Sequence, residues 1–433
     1  MRDLWPLGLI RRRAASAEPD VEVLRPAAYE EIATLLGSGR RVVPMGGRSG
    51  VCGAVEVRSG EVGLDLTSLD RILEVDETNL TVRVQAGANG LKLEEELNRR
   101  GLTLGHYPSS LPDATVGGLV STRSSGQQST LYGNVEDMLL ALKVMLPDGT
   151  LAEPRLGPRS AVGPALHQLF VGAEGALGIL LEAVFRVHRL PASSLGHGYD
   201  VASVEAGLEA MRTIVQTGLR PLVMRLYDRE DTAFQASTAE SCLLVIGLAG
   251  EPEVTAAEEA VVERLIGAGR DLGPGEFESW REGRFKLSAD RLRQSLEPPG
   301  SFVDTIELAA GWDRLPALHS EVKEILSGEG IALCHFSHAY LSGCCAYFTF
   351  AGSAPDDAAA EAAYRRCWEG AMAASLRQGA TIGHHHGTGQ VRAPWVRQEM
   401  GEWWTLWEKL RAAVDPGGIM NPNALGGRDK TRW

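Results

Sequence analysis

A chain of 433 residues exceeds the size at which a single hydrophobic core stays compact, so two domains are expected. Its composition, 44% hydrophobic and 23% charged, is that of a globular protein and leaves no stretch biased enough to indicate disorder. The net charge of -13 argues against a nucleic-acid-binding protein, which would need a basic surface.

The cysteines and the N-terminus bear on the cellular compartment. The six cysteines are scattered and form no CxxC pair, which favours reduced thiols over a disulfide framework or a zinc site. The apolar run from Leu4 to Ile10 is short, contains Pro6 and has its arginines on the C-terminal side, unlike a signal peptide. No segment approaches the roughly 20 apolar residues that span a bilayer. We therefore expect a cytoplasmic protein, with a homodimer and contact with a membrane surface left open.

Helix and strand signals alternate in residues 18–191, the first predicted domain. Helices are predicted over Ala27–Leu36 and Leu91–Arg100, and the second is amphipathic and ends before Gly101. Short apolar or alternating runs predict strands at Arg41–Val43, Val62–Leu66, Ile72–Val75, Leu80–Gln85 and Leu139–Leu146. The first domain is therefore expected to mix helices and strands.

The order of elements changes near Ala192, and residues 192–394 form the second predicted domain. Strand, strand and helix follow one another twice, which is typical of an antiparallel sheet with helices on one face. The predicted strands are Pro221–Tyr227, Ser241–Leu248, Phe302–Glu307, Ile331–Phe336 and Cys345–Phe350, and the predicted helices are Val254–Ala268, Leu315–Leu326 and Asp356–Gln378. Residues 395–433 form a separate C-terminal segment, rich in tryptophan up to Ala413.

Four segments are rich in glycine, at residues 44–53, 115–126, 132–134 and 172–179. Adjacent glycines let backbone N–H groups converge on an anion, and the serines and threonines beside them add hydroxyl donors. Any one segment alone is explained as well by a simple turn. None fits GxGxxG at the start of a helix after a strand, so an ordinary dinucleotide site is disfavoured.

Taken in order, these segments resemble the FAD-binding domain of the vanillyl-alcohol oxidase and p-cresol methylhydroxylase superfamily. The resemblance covers about residues 18–190, with DPGGIMNP at 415–422 as a returning piece. It implies an α+β fold, with a two-subdomain FAD-binding domain and an antiparallel-sheet cap domain for the substrate. Members with covalent flavin often have histidine after the glycine pair, where this chain has Arg48 after Gly46-Gly47, and the second segment offers no cysteine. FAD is therefore expected to bind non-covalently.

The resemblance also implies which residues line the flavin. The pyrophosphate loop would run from Pro44 to Val51, the second segment lies within 108–126, and the third begins at Glu174. Arg48 either pairs with a phosphate or is a surface arginine. The cofactor-binding residues expected on this basis are Pro44, Met45, Gly46, Gly47, Arg48, Ser49, Gly50, Val51, Pro108, Thr115, Gly117, Gly118, Ser121, Thr122, Ser124, Ser125, Tyr132, Glu174, Gly175, Gly178, Ile179 and Asn421.

Three consecutive histidines, His384, His385 and His386, precede a glycine turn after the long predicted helix. Imidazoles donate, accept or carry protons near neutral pH, so the cluster indicates an enzyme site rather than an incidental polar loop or adventitious metal site. In two of the predicted strands, apolar residues alternate with others, which places Arg225 and Tyr347 opposite the apolar face. These two side chains either share a cleft with the histidines or lie on a solvated sheet face.

Within the superfamily, the chain resembles the alkyldihydroxyacetonephosphate synthases in particular. The resemblance lies in PSSLPDATVGGLVSTRSSGQQSTLYGNVED at 108–137 and IGHHHGTGQVRAPW at 382–395. It implies two arginines, a tyrosine and the histidines as catalytic residues. Local motifs place these at Arg225, Tyr347 and His384 to His386, and counting back from the predicted strand Phe302–Glu307 gives Arg293 as the second arginine. It also implies exchange of the acyl chain of acyl-dihydroxyacetone phosphate for a fatty alcohol, through a transient flavin adduct and without net oxidation.

Two other interpretations stay open. The same flavin domain carries 2-hydroxy-acid dehydrogenases, whose metal-dependent members have the pattern HxGDGNxH. The segment HHHGTGQVR lacks the aspartate, asparagine and second histidine of that pattern, so no bound metal is expected. The alternative function is then a metal-free FAD-linked dehydrogenase or oxidase of a hydroxy acid or another alcohol. The third interpretation, a flavin-binding protein without catalysis, is disfavoured by the combination of Arg225, Tyr347 and the histidines.

Overall fold

The computed structural model describes residues 3–13, 21–153, 155–235, 237–285 and 289–426. Its α-helices, labelled α1 to α15 in chain order, span Pro6–Arg13, Tyr29–Gly37, Gly90–Arg99, Val116–Ser121, Ser129–Tyr132, Val135–Met138, Val204–Gln216, Arg229–Phe234, Pro252–Ile266, Gly275–Gly283, Ala289–Ser295, Leu315–Ser327, Asp357–Gln378, Ala393–Met400 and Trp403–Val414. Its strands, labelled β1 to β17, span Glu22–Leu24, Arg41–Met45, Glu61–Asp65, Ile72–Asp76, Thr81–Gln85, Leu102–Thr103, Leu139–Met145, Leu151–Ala152, Ile179–Arg186, His188–Arg189, Ser193–Val201, Val223–Tyr227, Cys242–Gly250, Arg270–Gly273, Ser301–Gly311, Ile331–Tyr340 and Gly343–Ser353. Short 3-10 helices lie at Leu166–Phe170 and Ala424–Gly426.

The first sheet is parallel, with strand order β1-β3-β2. Its central strand β3 is buried along its whole length, as parallel strands covered on both faces usually are. Strand β2 ends at Met45, so the first glycine segment begins at the carboxyl end of this strand. The C-terminal segment returns to the same sheet, where the Val42 N–H donates to the carbonyl oxygen of Ile419 at 2.7 Å.

The second sheet is antiparallel, with strand order β4-β5-β9-β7-β8. Helices α3 and α4 cover one face through a cluster that includes Leu93, Leu97, Val116 and Val120. The sequence patterns do not predict the central strand β9, because its start coincides with the end of the fourth glycine segment. Together the two sheets form the two subdomains that the resemblance implies for an FAD-binding domain.

The cap is a seven-stranded antiparallel sheet with order β14-β11-β13-β12-β16-β17-β15. One face packs on helices α7, α9, α12 and α13, of which α9, α12 and α13 are predicted from the sequence and α7 is not. The prediction of helices on one face only is wrong, because Phe277 of α10 packs against the other face at the β11–β13 end. Glycine makes this approach possible, since a Cβ at Gly247 would lie 2.4 Å from the Phe277 ring.

Helix α1 packs on the cap, although it precedes the predicted first domain by sequence. Leu7 and Ile10 are buried in the core formed by the cap sheet and its helices. Arg13 forms an ion pair with Asp357 at the start of α13, at 2.9 Å. The N-terminal segment therefore stabilises the helix that leads to the histidines.

Candidate functional site

Arg225 and Tyr347 lie on the same face of the cap sheet, as the alternation of residues predicts. Strand pairing places Tyr227 opposite His335 and His335 opposite Tyr347, and the next pair across is Tyr347 and Glu307. Because side chains of directly paired residues share a face, these residues form one row across β12, β16, β17 and β15. We call this face the site face; the opposite face carries the apolar core.

The row is held by direct contacts. Arg225 Nη2 lies 2.7 Å from His335 Nε2, and the His335 ring stacks on Tyr347 with 4.7 Å between ring centroids. Arginine can only donate, so Nε2 of His335 is the acceptor and the proton is on Nδ1, which lies 3.3 Å from Asp231 Oδ2. Burial and the charge of Arg225 lower the pKa of His335 to about 4. His335 is therefore a neutral spacer between the arginine and the tyrosine.

The three histidines lie over this row on the histidine loop, defined as residues 383–389. Tyr347 is 5.8 Å from the His385 ring and 5.5 Å from the His386 ring, centroid to centroid. The hydroxyl of Tyr340, at the end of β16, is 2.7 Å from His384 Nε2. Nδ1 of His384 lies 2.8 Å from Nδ1 of His385. The structure thus brings the predicted tyrosine, histidines and Arg225 around one place.

Burial sets the protonation of these groups. It lowers the pKa of His384 to about 4 and that of His385 well below its usual range. It also raises the pKa of Tyr347 above its usual range. At neutral pH His384 and His385 are neutral bases and Tyr347 is a protonated donor.

Glu307 and Arg392 hold the histidine loop from the cap side, and the sequence patterns single out neither. Glu307 is fully buried and accepts the backbone N–H of His386 at 2.9 Å, while Nδ1 of His386 lies 3.1 Å from its other oxygen. Arg392, 1% exposed, pairs with Glu307 and also donates to the carbonyl oxygen of Gly387 at 2.9 Å. Burial raises the pKa of Glu307, but Arg392 and His386 lower it more, so it stays well below its usual range.

Glu174 holds the same loop from the flavin-domain side. Its carboxylate accepts backbone N–H groups of Thr388 at 2.7 Å, Gly389 at 2.8 Å and Leu425 at 3.1 Å. Asn421 lies next to it and donates to the carbonyl oxygen of Glu174 at 2.6 Å. Both residues are expected from the sequence to bind the cofactor, and their observed contacts join the histidine loop and the C-terminal segment to the third flavin segment.

The second flavin segment and the residues that follow it meet the cap at the histidines. Ser129 Oγ lies 2.7 Å from Nδ1 of His338 on β16. Asn134 donates to the Tyr340 hydroxyl at 3.2 Å and accepts from Ser125 Oγ at 2.6 Å. A chain of hydrogen bonds therefore runs from Ser125 through Asn134 and Tyr340 to the histidine loop.

The glycine loops fit a flavin pyrophosphate. A Cβ at Gly46 would lie 2.0 Å from Thr115 Oγ1, and one at Gly47 would lie 1.7 Å from the carbonyl oxygen of Asp113, so the first two segments touch. Arg48 has φ +58°, a left-handed conformation that turns the loop. Among the hydrogen bonds of the described residues, none uses the backbone N–H groups of residues 47–51, which leaves them to an anion.

The other expected flavin residues lie in and around these loops. Thr115 caps α4 by accepting from the Gly118 N–H, and Ser124 Oγ lies 3.2 Å from His106 Nε2. A Cβ at Gly175 would lie 2.9 Å from the Pro44 ring, and the Tyr132 ring packs 4.9 Å from that of His188. The remaining ones lie on or beside these segments, at Met45, Ser49, Gly50, Val51, Pro108, Gly117, Ser121, Thr122, Gly178 and Ile179.

Arg293 is not brought to this cluster by any contact of the described residues. Its side chain is 54% exposed on α11 and forms an ion pair with Asp290 at 3.0 Å, one turn earlier on the same helix. The assignment of Arg293 depends on a motif count rather than on strand alternation, and the helix it occupies does not belong to the site face.

All six cysteines are buried and free. Within the described ranges, no helix has the length and apolar character needed to cross a membrane.

Comparison with known proteins places the chain in a family. Residues 194–425 match the model of the C-terminal domain of FAD linked oxidases, and residues 22–153 match that of an FAD binding domain. The alkyldihydroxyacetonephosphate synthase of Dictyostelium discoideum is 30% identical over 96% of this chain and 75% of its own. The FAD-linked oxidoreductase YgcU of Escherichia coli (strain K12) is 31% identical over 88% of this chain and 83% of its own.

A solved structure extends this likeness to the fold. The structure of an alkyldihydroxyacetonephosphate synthase superposes with a TM-score of 0.81 at 26% identity, covering 98% of this chain and 80% of that one. The predicted fold class and the resemblance are thereby confirmed, and FAD is confirmed as the cofactor. The chain belongs to the family of FAD-linked oxidases and is an FAD-dependent enzyme with homologues among the alkyldihydroxyacetonephosphate synthases.

Proposed function

We propose that this protein exchanges the acyl chain of acyl-dihydroxyacetone phosphate for a fatty alcohol. The proposal is supported by the relatives of that name and, above all, by one observation: Tyr347 lies between the Arg225–His335 pair and the histidine loop. Bound FAD would supply an oxidised ring that accepts electron density, and the loops around Gly46, Thr115 and Gly175 would hold it.

Arg225 is the residue proposed to hold the phosphate. Its guanidinium is bound through Nη2 to His335, and its buried Nε has no hydrogen-bond partner among the described residues. The planar fork of arginine suits a phosphate or carboxylate, so the same residue would anchor either substrate class. Arg293, exposed on α11, is the weaker candidate for this role.

The histidines are proposed to move the proton next to the substrate carbonyl. His384 and His385 are neutral near pH 7 because burial lowers the pKa of each, so one of them can accept that proton. Tyr347, whose pKa is raised by burial, stays protonated and can donate a hydrogen bond to the oxygen on which negative charge develops. The Tyr340 hydroxyl holds His384 Nε2, so the nitrogen of that ring that faces His385 is Nδ1.

The test is a single-turnover experiment with the FAD-loaded enzyme under anaerobic conditions. Acyl-dihydroxyacetone phosphate with a labelled acyl chain is added first, and a fatty alcohol second. We expect labelled fatty acid and an ether lipid in equal amounts, with no electron acceptor required. Tyr347→Phe is the test variant, and Tyr29→Phe is its matched control because Tyr29 binds Glu182 and Gln85 in the flavin domain.

An FAD-linked dehydrogenase of a hydroxy acid or another alcohol is the second candidate. It is supported by the likeness to YgcU, which is named an FAD-linked oxidoreductase, and by the pair that the neutral His335 forms with the cation Arg225. The acyl exchange needs no electron acceptor, whereas a dehydrogenase reduces the flavin and needs an acceptor to oxidise it again. If a 2-hydroxy acid bleaches the flavin and colour returns only with an added acceptor, while the lipid pair gives no ether product, the exchange proposal is wrong.

A further inference from the structure

Three imidazoles from two distant segments converge at the site. His338 of β16, His384 and His385 each offer a ring nitrogen, and the three nitrogens lie within 4.8 Å of one another. We propose that His338, His384 and His385 form a binding site for one divalent transition-metal ion of the Zn²⁺ or Co²⁺ type. The missing HxGDGNxH pattern argues only against a metal site whose ligands all come from the histidine segment. His338 lies on β16, outside that segment.

The backbone at His338 is deformed in a way that re-aims the side chain. The regular pairing of β16 with β17 shifts between Ser337 and Tyr340, which is a bulge. Within it, His338 has φ +51°, a left-handed conformation that a non-glycine residue rarely adopts. Bulges and strained residues of this kind persist where they serve a site. His338 is thus directed at His384 and His385, with ring centroids 5.0 Å from each.

A second layer of hydrogen bonds orients two of the three rings. Ser129 Oγ holds Nδ1 of His338 at 2.7 Å, which leaves Nε2 for a ligand. The Tyr340 hydroxyl holds Nε2 of His384 at 2.7 Å, which leaves Nδ1 directed at His385. Metal-bound histidines usually have their second nitrogen fixed in this way, because the partner sets both tautomer and ring orientation.

The donor set favours a particular class of metal. All three candidate ligands are imidazole nitrogens, on side chains that are buried or half-buried. Arg225 and Arg123 are nearby cations that oppose a metal, and the charge of Arg392 is balanced by Glu307. A set of imidazoles without a carboxylate suits Zn²⁺, Co²⁺ or Ni²⁺ and not Mg²⁺ or Ca²⁺. Three protein ligands would leave a fourth position open.

The metal would compete with the proposed reaction. Binding would occupy the lone pairs of His384 and His385 that the proton transfer needs, so a metal-loaded enzyme should be inhibited. This consequence rests on the proposed function, whereas the binding site itself rests on the geometry alone.

The test uses the FAD-loaded enzyme after removal of metals with a chelator. Titration with Co²⁺, followed by its visible d–d absorption, and equilibrium dialysis with Zn²⁺ give the stoichiometry and affinity. We expect one ion per chain, loss of the absorption band in His338→Ala, and an affinity about 10- to 100-fold lower in Ser129→Ala, which keeps all three imidazoles. His167→Ala, a histidine of the 3-10 helix at Leu166–Phe170, is the matched control and should bind like the parent protein.

Co²⁺ binding that is unchanged in both His338→Ala and Ser129→Ala would overturn the site, as would the absence of stoichiometric binding in the parent protein. Retained flavin absorbance in each variant shows that the variant is folded. If the parent protein binds one Co²⁺ but makes no ether lipid in its metal-free form, the proposed function is contradicted and the metal site stands. Ether-lipid synthesis by a parent protein that shows no stoichiometric Co²⁺ binding would contradict the metal site and leave the proposed function standing.

Discussion

The histidine loop is held by two buried carboxylates that work in different ways. On the cap side, Glu307 is paired with the cation Arg392, and its pKa lies well below the usual range. On the flavin-domain side, Glu174 accepts backbone N–H groups, and burial still raises its pKa above the usual range. A loop between two domains is therefore anchored by an ion pair on one side and by uncharged donors on the other. The Glu307–Arg392 ion pair and the backbone hydrogen bonds of Glu174 should therefore be lost at different pH values.

The largest effect is expected from breaking the cap-side ion pair. Arg392→Ala leaves the Glu307 carboxylate buried without its cation, which should lower the free energy of unfolding by about 3–5 kcal/mol. Urea denaturation followed by tryptophan fluorescence measures this loss. The double variant Glu307→Gln with Arg392→Met removes both charges and should recover most of the stability. Equal destabilisation in the single and double variants would mean that the charge pair is not what holds the loop.

The next effect concerns catalysis on the site face. Tyr347→Phe removes the proposed donor to the developing oxyanion but keeps the ring that stacks on His335. Turnover should fall by about 10²- to 10³-fold, the usual loss for one such donor, with FAD content and stability unchanged. Steady-state rates at saturating substrate measure it, beside the Tyr29→Phe control. Retained turnover would show that Tyr347 does not donate a hydrogen bond to the reacting oxygen.

The comparison of the two anchors also predicts a dependence on pH. The pKa of Glu174 is raised, so as pH falls its carboxylate is protonated in the folded protein at a higher pH than in the unfolded chain. This protonation favours the folded state, but it weakens the hydrogen bonds that Glu174 accepts from Thr388 and Gly389. Glu307 has a lowered pKa, so its stabilising effect persists above the ordinary carboxyl pKa and is lost only below it. Mild acid should therefore release the flavin-domain side of the loop first.

Hydrogen exchange resolved to single amides tests this order. As pH falls towards the ordinary carboxyl pKa, the protection factors of Thr388 and Gly389 should fall by about tenfold, since bonds to charged acceptors are the stronger ones. Protection of the His386 amide, which is bonded to Glu307, should stay constant. Glu174→Gln should show the weaker protection at every pH. Simultaneous loss at His386 and Gly389 would contradict two separate anchors.

The sequence is a good guide to this molecule where the relevant pattern is local. Strand alternation has a period of two residues, so it correctly places Arg225 and Tyr347 on one face before any pairing is known. Glycine pairs likewise mark the places where two loops come into contact, as Gly46 and Gly47 do. Among the described cap elements, the strands β12, β13, β15, β16 and β17 and the helices α9, α12 and α13 are predicted within about four residues of their observed ends, for the same reason.

Contacts between distant segments could not be predicted in this way. Glu307 is far from Arg392 along the chain, and neither residue belongs to a recognisable motif, although Glu307 follows the alternation that also places Tyr347. His338 escapes prediction because a bulge breaks the alternation at that point. Arg293 is predicted by counting back from the strand Phe302–Glu307, and the count carries no information on how α11 lies relative to the site face. The missing information is in each case the register between segments.

The smallest expected effect tests the connection between the two sides of the loop. Tyr340 lies on the cap but binds Asn134 of the flavin domain and His384 of the loop. Tyr340→Phe leaves the fold and the FAD in place but frees His384 Nε2, so the ring can adopt either tautomer. Turnover should fall by about tenfold, which corresponds to the free energy of one hydrogen bond. The acid limb of the pH profile of turnover should also shift, because His384 becomes easier to protonate. A purely structural role would change stability and leave the pH profile where it is, which separates a positioning residue from a packing one.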